Sequence, residues 1–161
     1  MSMIAPNGRP AVIRTFGNPI EYVENKEAWE RLILTAVPLR YPLPYAYGSA
    51  TITLARGHRL VIGLIVEALA RCHEAGVADD RLLYGGIYCW RAIRGFSSLS
   101  MHTWGIAIDL APQLNPLGTP WRDDGVMLPS IVIAIFEDLG FTWGGRWSRP
   151  DPQHFQFASG C

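Results

Sequence analysis

The sequence contains no Lys/Arg-rich block. Its 161 residues carry 14 basic and 14 acidic side chains, so the formal net charge is zero. That excludes the electrostatic footprint of nucleic-acid binding. Cysteine is scarce. Cys72, Cys89 and Cys161 form an odd, widely spaced set without a C-x-x-C pair, which excludes a disulfide framework. They read as free thiols of a chain made in a reducing compartment. There is no long apolar run. The most apolar window, Leu60 to Leu69, contains Glu67 and is too short to span a bilayer, so membrane insertion is not expected. The N-terminus lacks a basic stretch followed by an apolar run, so no export signal is read there. No internal repeat or low-complexity tract is present.

What is there suffices for a core. Hydrophobic residues make up 49% of the chain, enough to fold at this length without covalent staples. The simplest organisation is one domain over residues 1–161, expected to be a monomer.

Only four histidines occur, and two of them sit in the most informative stretches. The first stretch runs Ser100-Met101-His102-Thr103-Trp104-Gly105-Ile106-Ala107-Ile108-Asp109. The second runs from Trp143 through Gly144-Gly145-Arg146-Trp147 and Asp151 to His154-Phe155. Two histidines and one carboxylate, with a position left for water, are the ligand set of a hydrolytic zinc site. A further carboxylate that does not ligate could act as general base.

Periodicity places these residues. From Gly105 to Leu110, Ile106, Ile108 and Leu110 fall on one face of a strand, and Ala107 and Asp109 on the other. His102 precedes this strand, where a turn permitted by Gly105 could bring it back over Asp109. Phe155 and Phe157 alternate with His154, Gln156 and Ala158, again an aromatic core face and a polar face. Asp151 lies three residues before His154, close enough to stand beside a metal without ligating it. The alternatives are a lone turn histidine at His102 and a strand-end carboxylate at Asp109.

Elsewhere the pattern is scaffold. Residues 1–20 read as an extended lead-in wrapped on the surface. Glu24 to Ala36 has helical spacing and stops before Pro38. Leu39 to Tyr47 reads as a loop whose Tyr41, Tyr45 and Tyr47 either pave a groove or cover the core. Arg56 to Ala75 is the strongest helix, with a Leu60/Leu64/Ala68/Cys72 stripe ended by Gly76. His58 and His73 read as ordinary histidines at its two ends. Leu82 to Cys89 is a strand, and residues 111–120 form a Pro- and Gly-rich loop at the rim of a cleft. Pro129 opens a further helix closed by Gly140, and Phe141 to Gly144 is a short strand.

The pattern S-x-H-x-x-G-x-A-x-D, followed by G-F-x-W-G-G-x-W and D-x-x-H-F-Q, resembles the zinc D-alanyl-D-alanine carboxypeptidase and L-alanyl-D-glutamate endopeptidase family. The opening Ala5-Pro6-Asn7-Gly8 with Thr15-Phe16-Gly17 resembles its endolysin-like branch. The resemblance implies an α+β fold, with helices packed on one face of a small, mostly antiparallel sheet and the site on the other, as in D,D-peptidases and the hedgehog signalling domain. It implies Zn²⁺ on His102, Asp109 and His154, with Asp151 as general base. An arginine that stabilises the oxyanion is expected at Arg91, with Arg94 the lesser candidate. Ser100 is expected to help hold substrate, its alternative being a turn hydroxyl. Trp147 is a candidate substrate contact; for Trp143 core packing competes.

The implied partner is the peptidoglycan stem peptide, cut as an L-alanyl-D-glutamate endopeptidase, with D-alanyl-D-alanine carboxypeptidase as the alternative. Synthesis in the cytoplasm and release in the manner of a phage lysin is the expected route to the wall. A non-catalytic zinc-binding module on the same fold, or a hydrolase unrelated to the cell wall, are the rival readings. Two positions depart from the family's commoner pattern: Asp151, where several members have Glu, and Arg146, where an acidic residue is commoner and a change of substrate preference is expected.

Overall fold

A computed structural model describes residues 3–161. The chain opens with helix α1 (Arg9–Phe16), which buries Val12 and Phe16. Pro10 is tolerated there because a first-turn N–H has no helical partner to lose. The expected extended lead-in over residues 1–20 therefore holds an eight-residue helix, followed by a 3-10 turn at Pro19–Tyr22; its first two residues lie outside the described ones. Helix α2 (Lys26–Ile33) is capped by the Asn25 side chain, which accepts from the Ala28 N–H at 3.1 Å.

α2 runs straight into β1 (Leu34–Pro44), which pairs antiparallel with β2 (Thr51–His58). Two expectations are corrected here. Leu39 to Tyr47 is mostly strand rather than loop, and Arg56 to His58 end β2 rather than begin a helix. The prolines mislead for a physical reason. A two-stranded ribbon is all edge, and its register shifts between Pro38 and Leu43, so Pro38 and Pro42 remove no interior ladder bond.

α3 (Ile62–Glu74) buries Ile62, Ile65, Ala68, Leu69 and Cys72. It closes with the Gly76 N–H on the His73 carbonyl at 2.9 Å and the Val77 N–H on the Cys72 carbonyl at 3.1 Å. Such a closure needs a left-handed residue, and Gly76 has φ 82°. α4 (Ser130–Asp138) ends in the same way around Gly140, and Phe136 and Phe141 meet edge to face at 5.3 Å across the stop.

The second sheet contains β3 (Tyr84–Gly86), β4 (Ala107–Leu110), β5 (Thr142–Trp143) and β6 (His154–Gln156) in the order β3-β4-β6-β5, all antiparallel. Its inner face carries Ile106, Ile108, Leu110, Phe155 and Phe157, all fully buried. Phe136 from α4 stacks on Phe155 at 4.4 Å. The fold is the expected α+β type, with helices over the apolar face. The opposite face of β4 and β6 holds Asp109, His154 and Gln156. No helix among the described residues is long and apolar enough to cross a membrane.

Candidate metal centre and cleft

The centre starts from one register. β4 and β6 pair so that Asp109 lies directly opposite His154 and Ala107 opposite Gln156. Side chains opposite one another on adjacent strands share a face. His154 Nδ1 is accordingly 2.9 Å from Asp109 Oδ1.

His102 arrives from a 3-10 turn, Met101–Trp104, whose N-cap is Ser100. The Ser100 hydroxyl accepts from the His102 N–H at 3.4 Å. Gly105 ends the turn at φ 67°, and its N–H bonds the His102 carbonyl at 3.0 Å. A Cβ on Gly105 would lie 2.8 Å from the His58 nitrogen, so both conformation and space demand glycine. The turn brings His102 Nε2 to 3.2 Å from Asp109 Oδ1 and 3.2 Å from His154 Nδ1. Its other nitrogen, Nδ1, is 2.7 Å from the Ile87 carbonyl, which can only accept.

These three atoms form a triangle with edges of 2.9 to 3.2 Å. Zinc bonds of about 2.0 Å in a tetrahedron require ligand atoms about 3.3 Å apart. The donor set and its spacing therefore fit a tetrahedral zinc ion with one position left over. The electrostatics agree. Burial opposes charge on Asp109, but His102 and His154 outweigh it and hold its carboxyl far below the usual range. Burial would depress His154; the hydrogen bond and charge of Asp109 reverse this and raise it. Positive charge is thus favoured in a pocket where both histidines are nearly inaccessible.

Asp151 stands apart from this triangle, half-buried, with a buried Oδ1 that has no hydrogen-bond partner. Burial pushes its carboxyl above the usual range. Its loop is drawn in at Gly144, whose carbonyl accepts from both the Trp147 N–H at 3.1 Å and the Asp151 N–H at 2.9 Å. A Cβ on Gly144 would meet the Asp151 carbonyl oxygen at 2.7 Å. Trp147, in the same loop, sets its ring 5.4 Å from that of His154.

Arg91 reaches the centre and Arg94 does not pair there. Arg91 Nη2 is 3.6 Å from Asp109 Oδ2. Its backbone is held by Thr103, which exchanges bonds of 3.2 and 3.3 Å with it. Arg94 contributes its carbonyl, which accepts from Arg149 at 2.6 Å and ties two loops together.

The site opens into a cleft of about 1250 Å³. Tyr45, Tyr47 and Trp147 line it, as does Ser100, whose hydroxyl is already engaged as a cap. Tyr41 is not part of it; it stacks on His73 at 4.0 Å and donates to Glu74. Trp143 is buried, with its indole N–H on the Pro152 carbonyl at 2.8 Å, so packing is its role. Arg146 turns away to Glu137 and the Trp143 ring and takes no part in lining the cleft. Neither His58 nor His73 joins the metal-ligating group, and the three cysteines are free.

Sequence reasoning missed three of the arginines here. Arg9, Arg56 and Arg149 join Arg91 and Arg94 in the cleft wall, where the acidic lining residues are Asp109 and Asp151; Arg56 is paired with Glu30 at 3.0 Å. Arg9 and Arg56 come from elements read wrongly in the sequence. Alternation in β6 had put Gln156 on the polar face, but its bond to His154 Nε2, 3.0 Å long, depends on rotamers that alternation does not reveal.

Residues 94–157, about two-fifths of the chain, match the model of a family described as D-alanyl-D-alanine carboxypeptidase. The match supports a peptidase of this zinc-dependent kind; it includes His102, Asp109, Asp151 and His154 and stops short of Arg91. No curated protein and no solved structure matches the chain.

Proposed function

We propose that this chain is a zinc peptidase that cleaves the stem peptide of peptidoglycan, at the L-alanyl-D-glutamate bond. One observation carries the hydrolase reading: a ligand triangle of zinc dimensions in the same cleft as a half-buried carboxylate, one oxygen of which is buried and unpartnered. A structural zinc site would be closed by a fourth protein ligand.

His102, Asp109 and His154 would hold the ion. Zinc bound there supplies Lewis-acid polarisation and lowers the pKa of a water from about 15.7 to about 7. Asp151 takes a proton from the attacking water and passes it to the leaving amine nitrogen as the C–N bond breaks. Its raised pKa suits both halves of that exchange. Arg91 offsets the negative charge that develops on the carbonyl oxygen. Trp147 forms a wall beside His154, and Ser100 shapes the floor while capping the His102 turn. The chain is proposed to act as a monomer.

The cationic cleft wall suits a substrate rich in carboxylates, as stem peptides are. The endopeptidase reading rests on the likeness of the opening residues to the endolysin-like branch. Carboxypeptidase action on a terminal D-Ala–D-Ala is the second reading, favoured by the description of the matched family. In either case the substrate lies in the wall, so the chain acts outside the membrane after release.

The test is mass spectrometry of peptidoglycan digested with and without a zinc chelator. Chelator-sensitive peptides that begin at D-Glu are expected. Loss of terminal D-Ala instead would establish the carboxypeptidase. No chelator-sensitive product on several wall types would overturn the reading in favour of a binding module.

A further inference from the structure

A histidine ligand must present one nitrogen lone pair and place its single N–H elsewhere. His102 does this through the Ile87 main-chain carbonyl. For His154 the corresponding partner is a side chain. Gln156 is two residues along β6, on the same face, and almost fully buried. Its Oε1 lies 3.0 Å from His154 Nε2.

The direction of that bond is determined by the other end of the amide. Gln156 Nε2 donates to the Ala158 carbonyl at 3.3 Å. A carbonyl cannot donate, so the amide NH₂ faces Ala158 and the amide oxygen faces the imidazole. With Nδ1 given to a metal, His154 then carries its single hydrogen on Nε2. Nδ1 is left to face Asp109 and His102, at 2.9 and 3.2 Å.

We propose that Gln156 is a positioning residue: it sets the tautomer and ring orientation of His154 so that Nδ1 is the metal-ligating atom. This rests on the metal reading of the centre. Groups that hold a ligating histidine in this way change metal affinity by about 10- to 100-fold when removed.

Two variants separate positioning from packing. Gln156→Glu keeps an acceptor for the imidazole and loses the donor to Ala158. Gln156→Leu loses both. The measurements are zinc affinity by competition with a chromophoric chelator, and the ¹H–¹⁵N signal of the His154 Nε2–H in zinc-loaded protein. Gln156→Leu should bind zinc about 10- to 100-fold more weakly and lose the protected N–H signal. Gln156→Glu should stay within a few-fold of wild type and keep the signal. If Gln156→Leu does not fold, Gln156→Met takes its place with the same expectation. Wild-type zinc affinity in the apolar variant, or equal weakening in both variants with the N–H signal intact, would overturn the proposal alone. A wild-type protein that takes up no zinc would overturn the metal reading itself.

Discussion

Arg91 stands 3.6 Å from Asp109, beside the carboxylate oxygen that neither histidine touches. Asp109 thus divides its two oxygens, with Oδ1 toward His102 and His154 and Oδ2 toward the guanidinium. Arg91 is also the more exposed partner of the pair, so its other donors remain open to the cleft.

Arg91→Ala should lower kcat by about 10²- to 10³-fold, the usual cost of removing an oxyanion donor. Zinc affinity should change by no more than a few-fold. Titration of the variant with zinc, beside its kinetics, makes the check. A parallel collapse of zinc affinity would show that Arg91 braces Asp109 rather than serving the substrate. Arg91→Lys should recover only part of the rate, because a point charge replaces a planar fork.

Gly144→Ala tests the placement of Asp151. The added methyl would sit 2.7 Å from the Asp151 carbonyl oxygen and 3.1 Å from the Trp147 ring, so the loop must shift. A displacement near 1 Å costs on the order of 10²-fold in rate. We expect kcat to fall about that far while zinc stoichiometry stays at one per chain. Unchanged kinetics would mean that Asp151 is not the proton carrier, or that its position is loosely held.

The arginine-rich cleft wall makes a prediction about substrate charge. Stem peptides with free carboxylates should be cut several-fold to about tenfold faster than their amidated forms, equivalent to about 1 kcal/mol. The preference should shrink as salt rises above 0.15 M, where the screening length is about 8 Å. Arg149→Gln should reduce it further. Paired digests at two ionic strengths decide the matter; equal rates at both would refute a role for the wall.

His58 gives the fold a pH dependence of its own. Burial lowers its pKa to about 4, its Nδ1 accepts from the Leu60 N–H at 3.1 Å, and its ring lies against Phe16. Between pH 6.5 and 4 the unfolded chain binds a proton that the folded one refuses. Stability therefore falls as pH drops through that window, by about 2 kcal/mol after allowance for residual screening. His58→Asn keeps an acceptor for Leu60 and removes the titration. Urea midpoints of zinc-free protein at pH 6.5 and 4 should fall less in the variant. Identical slopes would rule out His58 as the cause.

The half of this fold that holds the candidate site was readable in the chain because its signals are local and redundant. Strict alternation in β4 and β6 gave both the core face and the site face, and scarce histidines marked the positions. Gly76 and Gly140 ended α3 and α4 as expected, since a left-handed stop has few other residues to use. The hairpin was not readable. Pro38, Pro42 and Pro44 look like loop residues until a bulged ribbon without interior strands accommodates them. β2 was lost because the apolar spacing of α3 continues back to Leu60, and no proline between Thr51 and Leu60 marks where the helix should start. α1 was lost because eight residues between two glycines carry too little periodicity to be seen. Arg91 was preferred over Arg94 because it directly follows the expected strand, and in the structure it stands 3.6 Å from Asp109.

The direct pairing of Asp109 with His154 has a consequence for biogenesis. Side chains alternate along a strand, so a slip of one residue between β4 and β6 would send Asp109 and His154 to opposite faces. The same slip would drive Phe155 into the solvent and expose the core. A misaligned molecule therefore cannot persist as a well-packed but inert protein. If the centre takes zinc as proposed, metal uptake would serve as an assembly checkpoint, and zinc occupancy across a preparation would count the molecules that have completed their sheet.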